Sequence, residues 1–107
     1  MSGVILNDVD LHDAIVQRID IDILAGVITV DVSFYEALES KQRKLGVIKF
    51  QGVRNSSLVL DFISLLDNSR SGNVNSWDPA ALGGNSNIRM LDGYISIGST
   101  KVELTER

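Results

Sequence analysis

The stretch AIVQRIDIDILAGVITVDVSFY, residues 14–35, decides the fold. In its first half isoleucines alternate with charged residues, and in its second half apolar residues alternate with small or acidic polar ones. A period of two is the pattern of a strand with one buried face. The sequence therefore predicts strands over Ala14–Leu24 and Val27–Tyr35, joined around Ala25-Gly26 as an antiparallel hairpin.

The register of this hairpin follows from the need for one face to be apolar on both strands. A connection of even length, either Ala25-Gly26 or Leu24–Val27, sets apolar residues opposite each other, whereas a slip of one residue opposes isoleucine to Thr or Asp. The predicted register pairs Ile21 with Val30. Both side chains are expected to be buried.

The same register places Asp20 directly opposite Asp31 on the solvent face, with Asp22 one pleat away. Asp20, Asp22 and Asp31 then form an acidic patch. One interpretation is that these charges discourage aggregation through the strands. The other is that the patch receives Lys or Arg side chains from a binding partner.

Further along the chain, Glu36–Lys44 is predicted to be a loop or a short exposed helix, and Leu45–Val53 a third strand. Leu58–Leu66 has two interpretations. It fits a helix capped in the segment 55–57, and it also fits a strand through alternate residues. The Asn/Ser/Gly-rich segment Asp67–Asn87 is predicted to be a long loop, of a length that usually carries function.

The C-terminal part returns to strand character. Ile88–Met90 and Tyr94–Ile97 flank Asp92-Gly93, a common hairpin dipeptide, and a last strand is predicted over Thr100–Leu104. We therefore expect a single domain of residues 1–107. Its class is α+β, mainly an antiparallel sheet of five or six strands with one or two helices.

Composition excludes several classes of function. The chain has 107 residues, a formal net charge of -4, no Cys and one His. The acidic balance argues against nucleic-acid binding, and the missing thiols and imidazoles argue against cysteine- or multi-histidine metal sites. Apolar runs are too short to cross a membrane, and Met1–Asp10 lacks the features of a signal peptide. We expect a cytoplasmic protein without cofactor or membrane association.

His12 is the one side chain with a near-neutral reference pKa, so it is the candidate general base. Asp10 or Asp13 would orient the ring. A nucleophile would have to come from the serines Ser33, Ser56, Ser57, Ser96 and Ser99, none of which lies in a Gly-x-Ser-x-Gly elbow. The simpler interpretation is that His12 caps or packs the segment entering the first strand, and the chain is predicted not to be an enzyme.

The leader also invites a metal interpretation, because Asp8, Asp10 and His12 alternate. The segment lacks the full pattern of a calcium-binding loop, and an acidic solvated leader is the preferred interpretation. Trp77, the only Trp, lies in the predicted polar loop. It either anchors that loop to the core or lies exposed beside Arg89 and Tyr94 as a binding hot spot.

Three short motifs carry a resemblance to a known class. They are Leu11-His12-Asp13-Ala14 before the first strand, Phe50-Gln51-Gly52-Val53 at the end of the third, and the hairpin Asp92-Gly93-Tyr94-Ile95-Ser96-Ile97. These motifs resemble small, uncharacterised bacterial β-rich domains, some of which are immunity proteins that accompany secreted toxins. That class has no common catalytic residues to carry over.

The resulting functional expectation is a non-enzymatic domain that binds another protein. The resemblance implies a toxin as partner, with a basic surface that meets Asp20, Asp22 and Asp31, and Trp77 as a further contact. The alternative is a structural or accessory domain that forms a homo-oligomer through an exposed sheet edge. A third option is a small enzyme or ligand binder around His12.

Overall fold

The computed structural model describes residues 11–35, 41–67, 72, 74–80, 82–91 and 93–106. These residues form eight strands and one short helix. The elements are β1 (Ile15–Asp22), β2 (Val27–Phe34), β3 (Lys44–Gln51), β4 (Asn55–Val59), α1 (Phe62–Asp67), β5 (Val74–Asp78), β6 (Gly84–Met90), β7 (Gly93–Ser99) and β8 (Lys101–Glu106). The prediction of a mainly antiparallel β-rich fold is confirmed, but the sequence predicted fewer strands.

The strands form two antiparallel sheets of four. Their orders are β1-β2-β3-β8 in sheet 1 and β4-β7-β6-β5 in sheet 2. Apolar side chains from the facing sides of both sheets form one core, which includes Val30 and Ile48 of sheet 1 and Ile88 and Ile97 of sheet 2. The chain is therefore a two-layer sandwich in which every strand of the described residues pairs with an antiparallel neighbour.

The first hairpin forms as predicted, but its register differs by two residues. Ile21 lies opposite Ile28 and not Val30, and it is 47% exposed on the edge strand β1. The strands are joined by a four-residue turn over 23–26, where the Asp22 carboxylate accepts a hydrogen bond from Ala25 N at 3.0 Å and Gly26 has φ +67°. A two-residue shift leaves the faces unchanged, so the turn decides the register.

The segment Phe50-Gln51-Gly52-Val53 carries the chain from sheet 1 to sheet 2. Gln51 O accepts hydrogen bonds from Thr100 N at 3.0 Å and Thr100 Oγ1 at 3.1 Å. Val53 N donates to Gly26 O at 3.0 Å. Gly52 has φ +61°, and a Cβ there would collide with the Thr100 side chain. The motif thus has a structural task at the crossing point.

The central part of the chain corrects two predictions. Leu58–Leu66 is neither all helix nor all strand: β4 ends at Val59 and α1 begins at Phe62. Asp67–Asn87 is not one long loop, since it contains β5 and the start of β6. Within Glu36–Lys44, residues 36–40 lie outside the described residues.

At the C-terminal end, the predicted strands Ile88–Met90 and Tyr94–Ile97 lie within β6 and β7, and the predicted strand Thr100–Leu104 overlaps β8, which begins at Lys101. Met90 pairs with Gly93, so Gly93 belongs to β7 and is not part of the predicted turn dipeptide Asp92-Gly93. Asp92 itself lies outside the described residues. A Cβ at Gly93 would collide with Val59 O, so glycine lets β4 approach this turn. No helix among the described residues has the length and apolar character needed to span a membrane.

Candidate functional site

The predicted acidic patch is rearranged by the two-residue shift. Asp20 lies opposite Thr29, and Asp31 lies opposite Arg18. The Arg18 guanidinium lies 3.7 Å from the Asp20 carboxylate, with both side chains more than half exposed. The prediction that Asp20 faces Asp31 is therefore wrong. No cross-strand repulsion between them has to be explained.

The outer face of sheet 1 mixes charges. In one row across the sheet, Asp20 and Thr29 are followed by Lys49 and Glu103. Asp31 is partly buried, whereas Asp20 and Asp22 are exposed on β1. The edge strands β1 and β8 each carry two carboxylates and one basic residue, so the negative charge is shared by both edges of the sheet and does not cover the whole face.

An apolar groove runs beside this acidic edge. It has a volume of about 620 Å³ and lies between β1 and the segment that contains α1. The residues lining it are Ile15, Val16, Gln17, Arg18, Ile19, Leu60, Phe62 and Leu65. The groove combines apolar walls with the charged side chain of Arg18.

The position of α1, which forms one wall of the groove, is explained by residues in and just before the helix. Asp61 caps the helix, since its Oδ1 accepts a hydrogen bond from Ser64 N at 3.0 Å. Leu60 and Leu65 pack against the core, which holds the helix in place. Phe62, in contrast, is 75% exposed. A large aromatic side chain is therefore presented to solvent from a fixed position.

The wall formed by β1 contains a bulge. The pairing shifts between Val16 and Arg18, so that Gln17 is an extra residue on the edge strand. A bulge bends and twists the strand and interrupts its row of free backbone groups. Recognition at this wall therefore depends on side chains more than on addition of another strand.

Charges of both signs lie at or near the groove. Among the described residues that line it, Arg18 is the one charged side chain, and four carboxylates lie on the adjoining segments 20–22 and 61–67. The carboxylates are Asp20, Asp22, Asp61 and Asp67. Asp22 and Asp61 each use one oxygen for a local backbone hydrogen bond, and the Asp20 carboxylate lies 3.7 Å from the Arg18 guanidinium.

Arg89 and Tyr94 lie on the outer face of sheet 2, whereas the side chain of Trp77 lies on the opposite, inward face. It lies opposite the buried Ile88, while Ser76 lies opposite Arg89 on the other face. Its ring makes an edge-on contact with Phe50, with centroids 6.3 Å apart. Trp77 Nε1 is buried without a hydrogen-bond partner. Of the two interpretations of Trp77 from the sequence, this placement agrees with the one in which Trp77 anchors its segment to the core.

His12 lies on an exposed turn before β1. The flanking Leu11 and Ala14 are fully buried, whereas His12 points outward with its Nδ1 3.2 Å from Asp13 Oδ2. Asp13 has φ +65°, and its carbonyl accepts hydrogen bonds from the Arg43 guanidinium. The backbone of this turn is joined to the first residue of β5, because Asp13 N donates a hydrogen bond to Val74 O at 2.9 Å. The imidazole itself does not pack in the core.

The serine candidates do not form an obvious nucleophilic site. Ser33 and Ser99 are buried, and the Ser99 hydroxyl donates to Lys101 O at 3.4 Å. Ser56 and Ser57 lie on β4 and Ser96 on β7. Asp8 and Asp10 lie outside the described residues. Among those that are described, no group of three or more His, Asp or Glu side chains could hold a metal ion.

The groove residues Leu60, Phe62 and Leu65 were not predicted as a site from the sequence. Phe62 belongs to the apolar stripe of the predicted helix, which implied burial. The signal that could have predicted the position of Phe62 is Asp61, which precedes Ser64 by three residues, the spacing of an N-cap.

Comparison of the chain with protein-family models, curated proteins and solved structures finds no match.

Proposed function

We propose that this chain is a non-enzymatic protein-binding domain whose binding site is the groove between β1 and α1. The observation that carries the proposal is the exposure of Phe62 at the wall of a 620 Å³ apolar groove. Exposed aromatic anchors in pockets supply much of the binding energy at protein interfaces. Exposed apolar surface of this kind is a common mark of an interaction site.

The proposed partner presents an apolar side chain flanked by Lys or Arg. The apolar side chain fills the groove against Ile19, Leu60 and Phe62. The basic residues meet Asp20 and Asp22, which are exposed on β1 beyond the residues that line the groove. Opposite charges at the rim act mainly on the rate of association and on its salt dependence.

A secreted toxin with a basic surface is the partner that the sequence resemblance implies, and it has the charge that this site requires. The proposal in this finer form is that the chain is an immunity protein. Compared with the sequence interpretation, the contact moves from Asp31 and Trp77 to Phe62 and Asp20, because Asp31 is partly buried and Trp77 packs on Phe50.

The test uses the protein encoded beside this chain's gene as probe, with binding measured by calorimetry. Phe62→Ser is expected to weaken binding about tenfold or more, as for a hot-spot residue. Asp20→Asn is expected to weaken it a few fold and to reduce its salt dependence. Leu91→Ser, at an exposed apolar residue on the β6–β7 turn, is the matched control and should leave binding unchanged.

A second readout is protection of cells. If the neighbouring protein is toxic, co-expression of the parent chain should restore growth, and the Phe62→Ser chain should fail to do so while keeping its circular dichroism spectrum. Absence of saturable binding, or binding that Phe62→Ser leaves unaltered, would contradict the proposed site.

A further inference from the structure

Another cavity lies on the outer face of sheet 2, across β5, β6 and β7. It has a volume of about 590 Å³. Small-molecule sites usually fall between about 300 and 1,000 Å³. Its polar lining comes from Asn75, Ser76, Asn87, Arg89 and Tyr94. None of these residues lines the groove between β1 and α1, so the two sites are separate.

The bulge in β5 explains why two neighbouring residues line the same cavity. The pairing with β6 shifts between Val74 and Ser76, so Asn75 is an extra residue on β5. In a regular strand, Asn75 and Ser76 would point to opposite faces. Here both are exposed and both line the cavity. Bulges re-aim side chains in this way and are common beside functional sites.

Arg89 gives the cavity a positive charge. Among the described residues that line it, Arg89 is the one charged side chain, and it takes part in none of the ion pairs formed within the described part of the chain. It lies between Ser76 and Tyr94 in one row across the sheet. Asp78, the carboxylate on β5, lies opposite Asn87 and does not line the cavity. An exposed guanidinium in this setting can hold a carboxylate through two parallel hydrogen bonds.

The other lining groups match a sugar ring. Tyr94 is 44% exposed. The electron-rich face of its ring attracts the slightly positive C–H groups of a pyranose. The amides of Asn75 and Asn87 and the hydroxyl of Ser76 both donate and accept hydrogen bonds, as sugar hydroxyl groups do. A nucleic acid or polyphosphate would need several cations, whereas this cavity offers one.

We propose that this cavity binds a uronic-acid residue of an acidic glycan. The sugar carboxylate pairs with Arg89, and the sugar ring lies against Tyr94. The sugar hydroxyl groups form hydrogen bonds with Asn75, Ser76 and Asn87. This binding activity goes beyond the proposed recognition of a protein and uses the opposite sign of charge.

The polar surface continues from the cavity across the sheet. In the row next to Arg89, Asn87, Ser96 and Ser57 lie side by side on β6, β7 and β4. Further residues of a glycan chain therefore meet groups that donate and accept hydrogen bonds. A chain of several sugars is expected to bind more tightly than a single uronic acid.

Calorimetry at low ionic strength tests the proposal, with oligogalacturonate as the probe. Its fully methyl-esterified form is the matched ligand, because it keeps the rings and hydroxyl groups but has no charge. The parent chain is expected to bind the acid about tenfold more tightly than the ester, the scale of hydrogen bonds to a charged group. Arg89→Gln should bind both forms equally. Arg54→Gln, at an exposed arginine outside the cavity, should keep the preference.

Variants of Tyr94 test the contact with the sugar ring. Tyr94→Leu should weaken binding of the acid a few fold, and Tyr94→Phe, which keeps the aromatic face, should leave it unchanged. Circular dichroism checks that each variant is folded. Phe62→Ser, directed at the groove, should bind the glycan as the parent does, which separates this test from that of the proposed function.

Four results would overturn the proposal. They are the absence of saturable binding of oligogalacturonate to the parent chain, equal affinity of the parent for acid and ester, a preference for the acid that survives in Arg89→Gln, and an equal loss of that preference in Arg54→Gln. Sulfate is the control for a simple anion site. It should not compete with oligogalacturonate at equal concentration, and effective competition would also contradict recognition of a sugar.

Discussion

Ile21 and Ile28 form a matched pair for testing how the first hairpin is buried. They are the same residue type and lie directly opposite each other in β1 and β2, yet Ile28 is 2% exposed and Ile21 is 47% exposed. Truncation to Ala removes three side-chain carbons, each worth about 0.8 kcal/mol when buried. At Ile28 the loss, with the cavity left behind, should be about 3 to 4 kcal/mol.

At Ile21 only about half of the side chain is buried, so truncation loses roughly half of that transfer energy. The site is open to solvent, so truncation leaves no closed cavity. Ile21→Ala is therefore expected to lower the free energy of unfolding by about 1 kcal/mol. Ile28→Ala should therefore lower the free energy of unfolding by about 2 to 3 kcal/mol more than Ile21→Ala does.

The assay is equilibrium unfolding in urea, followed by circular dichroism and by the fluorescence of Trp77. The slope of the free energy with urea should match the parent in both variants, which shows that only stability has changed. In thermal unfolding, Ile21→Ala should lower Tm by about 4 to 8 °C and Ile28→Ala by two to four times as much, at about 4 to 8 °C per kcal/mol. Equal losses, or a larger loss at Ile21, would show that Ile21 is buried as the sequence pattern predicts, and would contradict its exposed position on the edge strand.

Three further variants test packing and the role of the N-terminal turn. Gly46→Ala would place a Cβ 2.7 Å from Cε1 of Phe34, so urea unfolding should show a loss of about 1 to 3 kcal/mol that Phe34→Leu partly relieves in the double variant. Gly52→Ala forces Ala to φ +61° beside Thr100 and should lower the unfolding free energy by about 1 kcal/mol or more, whereas no loss would contradict the crossing geometry. His12→Ala should change stability by no more than about 0.5 kcal/mol and leave partner affinity within a few fold; complete loss of a measured activity would instead support an enzyme.

The sequence was sufficient to predict the first hairpin and its faces, because alternation over residues 14–35 is long and regular. Parity alone could not fix the register, since a shift of two residues keeps every side chain on its face. The deciding interactions are the Asp22 carboxylate on Ala25 N and the positive φ of Gly26. Both belong to the turn, which hydrophobic periodicity does not describe.

The strand β5 could not be predicted from periodicity because a bulge interrupts its alternation. Val74 and Trp77 both face inward although they are three residues apart, since the pairing shifts between Val74 and Ser76. The outer faces of β5 and β6 carry Ser and Asn, which are typical of loops when no partner strand is known. Strand character there comes from pairing with neighbours and not from local preference.

The candidate site was harder to predict for a different reason. The stripe through Phe62 and Leu66 has helical spacing, and such a stripe usually faces a core. In this chain α1 is only six residues long, so Leu65, together with the preceding Leu60, anchors it while Phe62 stays 75% exposed. The end of β4 determines where α1 can begin and how long it is. The length of α1 in turn determines which of its side chains become buried.

The groove lies on one side of the sandwich. β1 and the segment through β4 and α1 lie across from each other there, since residues 15–19 and 60–65 line the groove, and a smaller cavity is lined by parts of 21–28 and 53–56. The bulge and charges of β1 oppose strand addition, so this edge favours side-chain recognition in the groove. Side-chain contacts with Leu60 and Phe62, and not backbone pairing along β1, should therefore decide the affinity at this site.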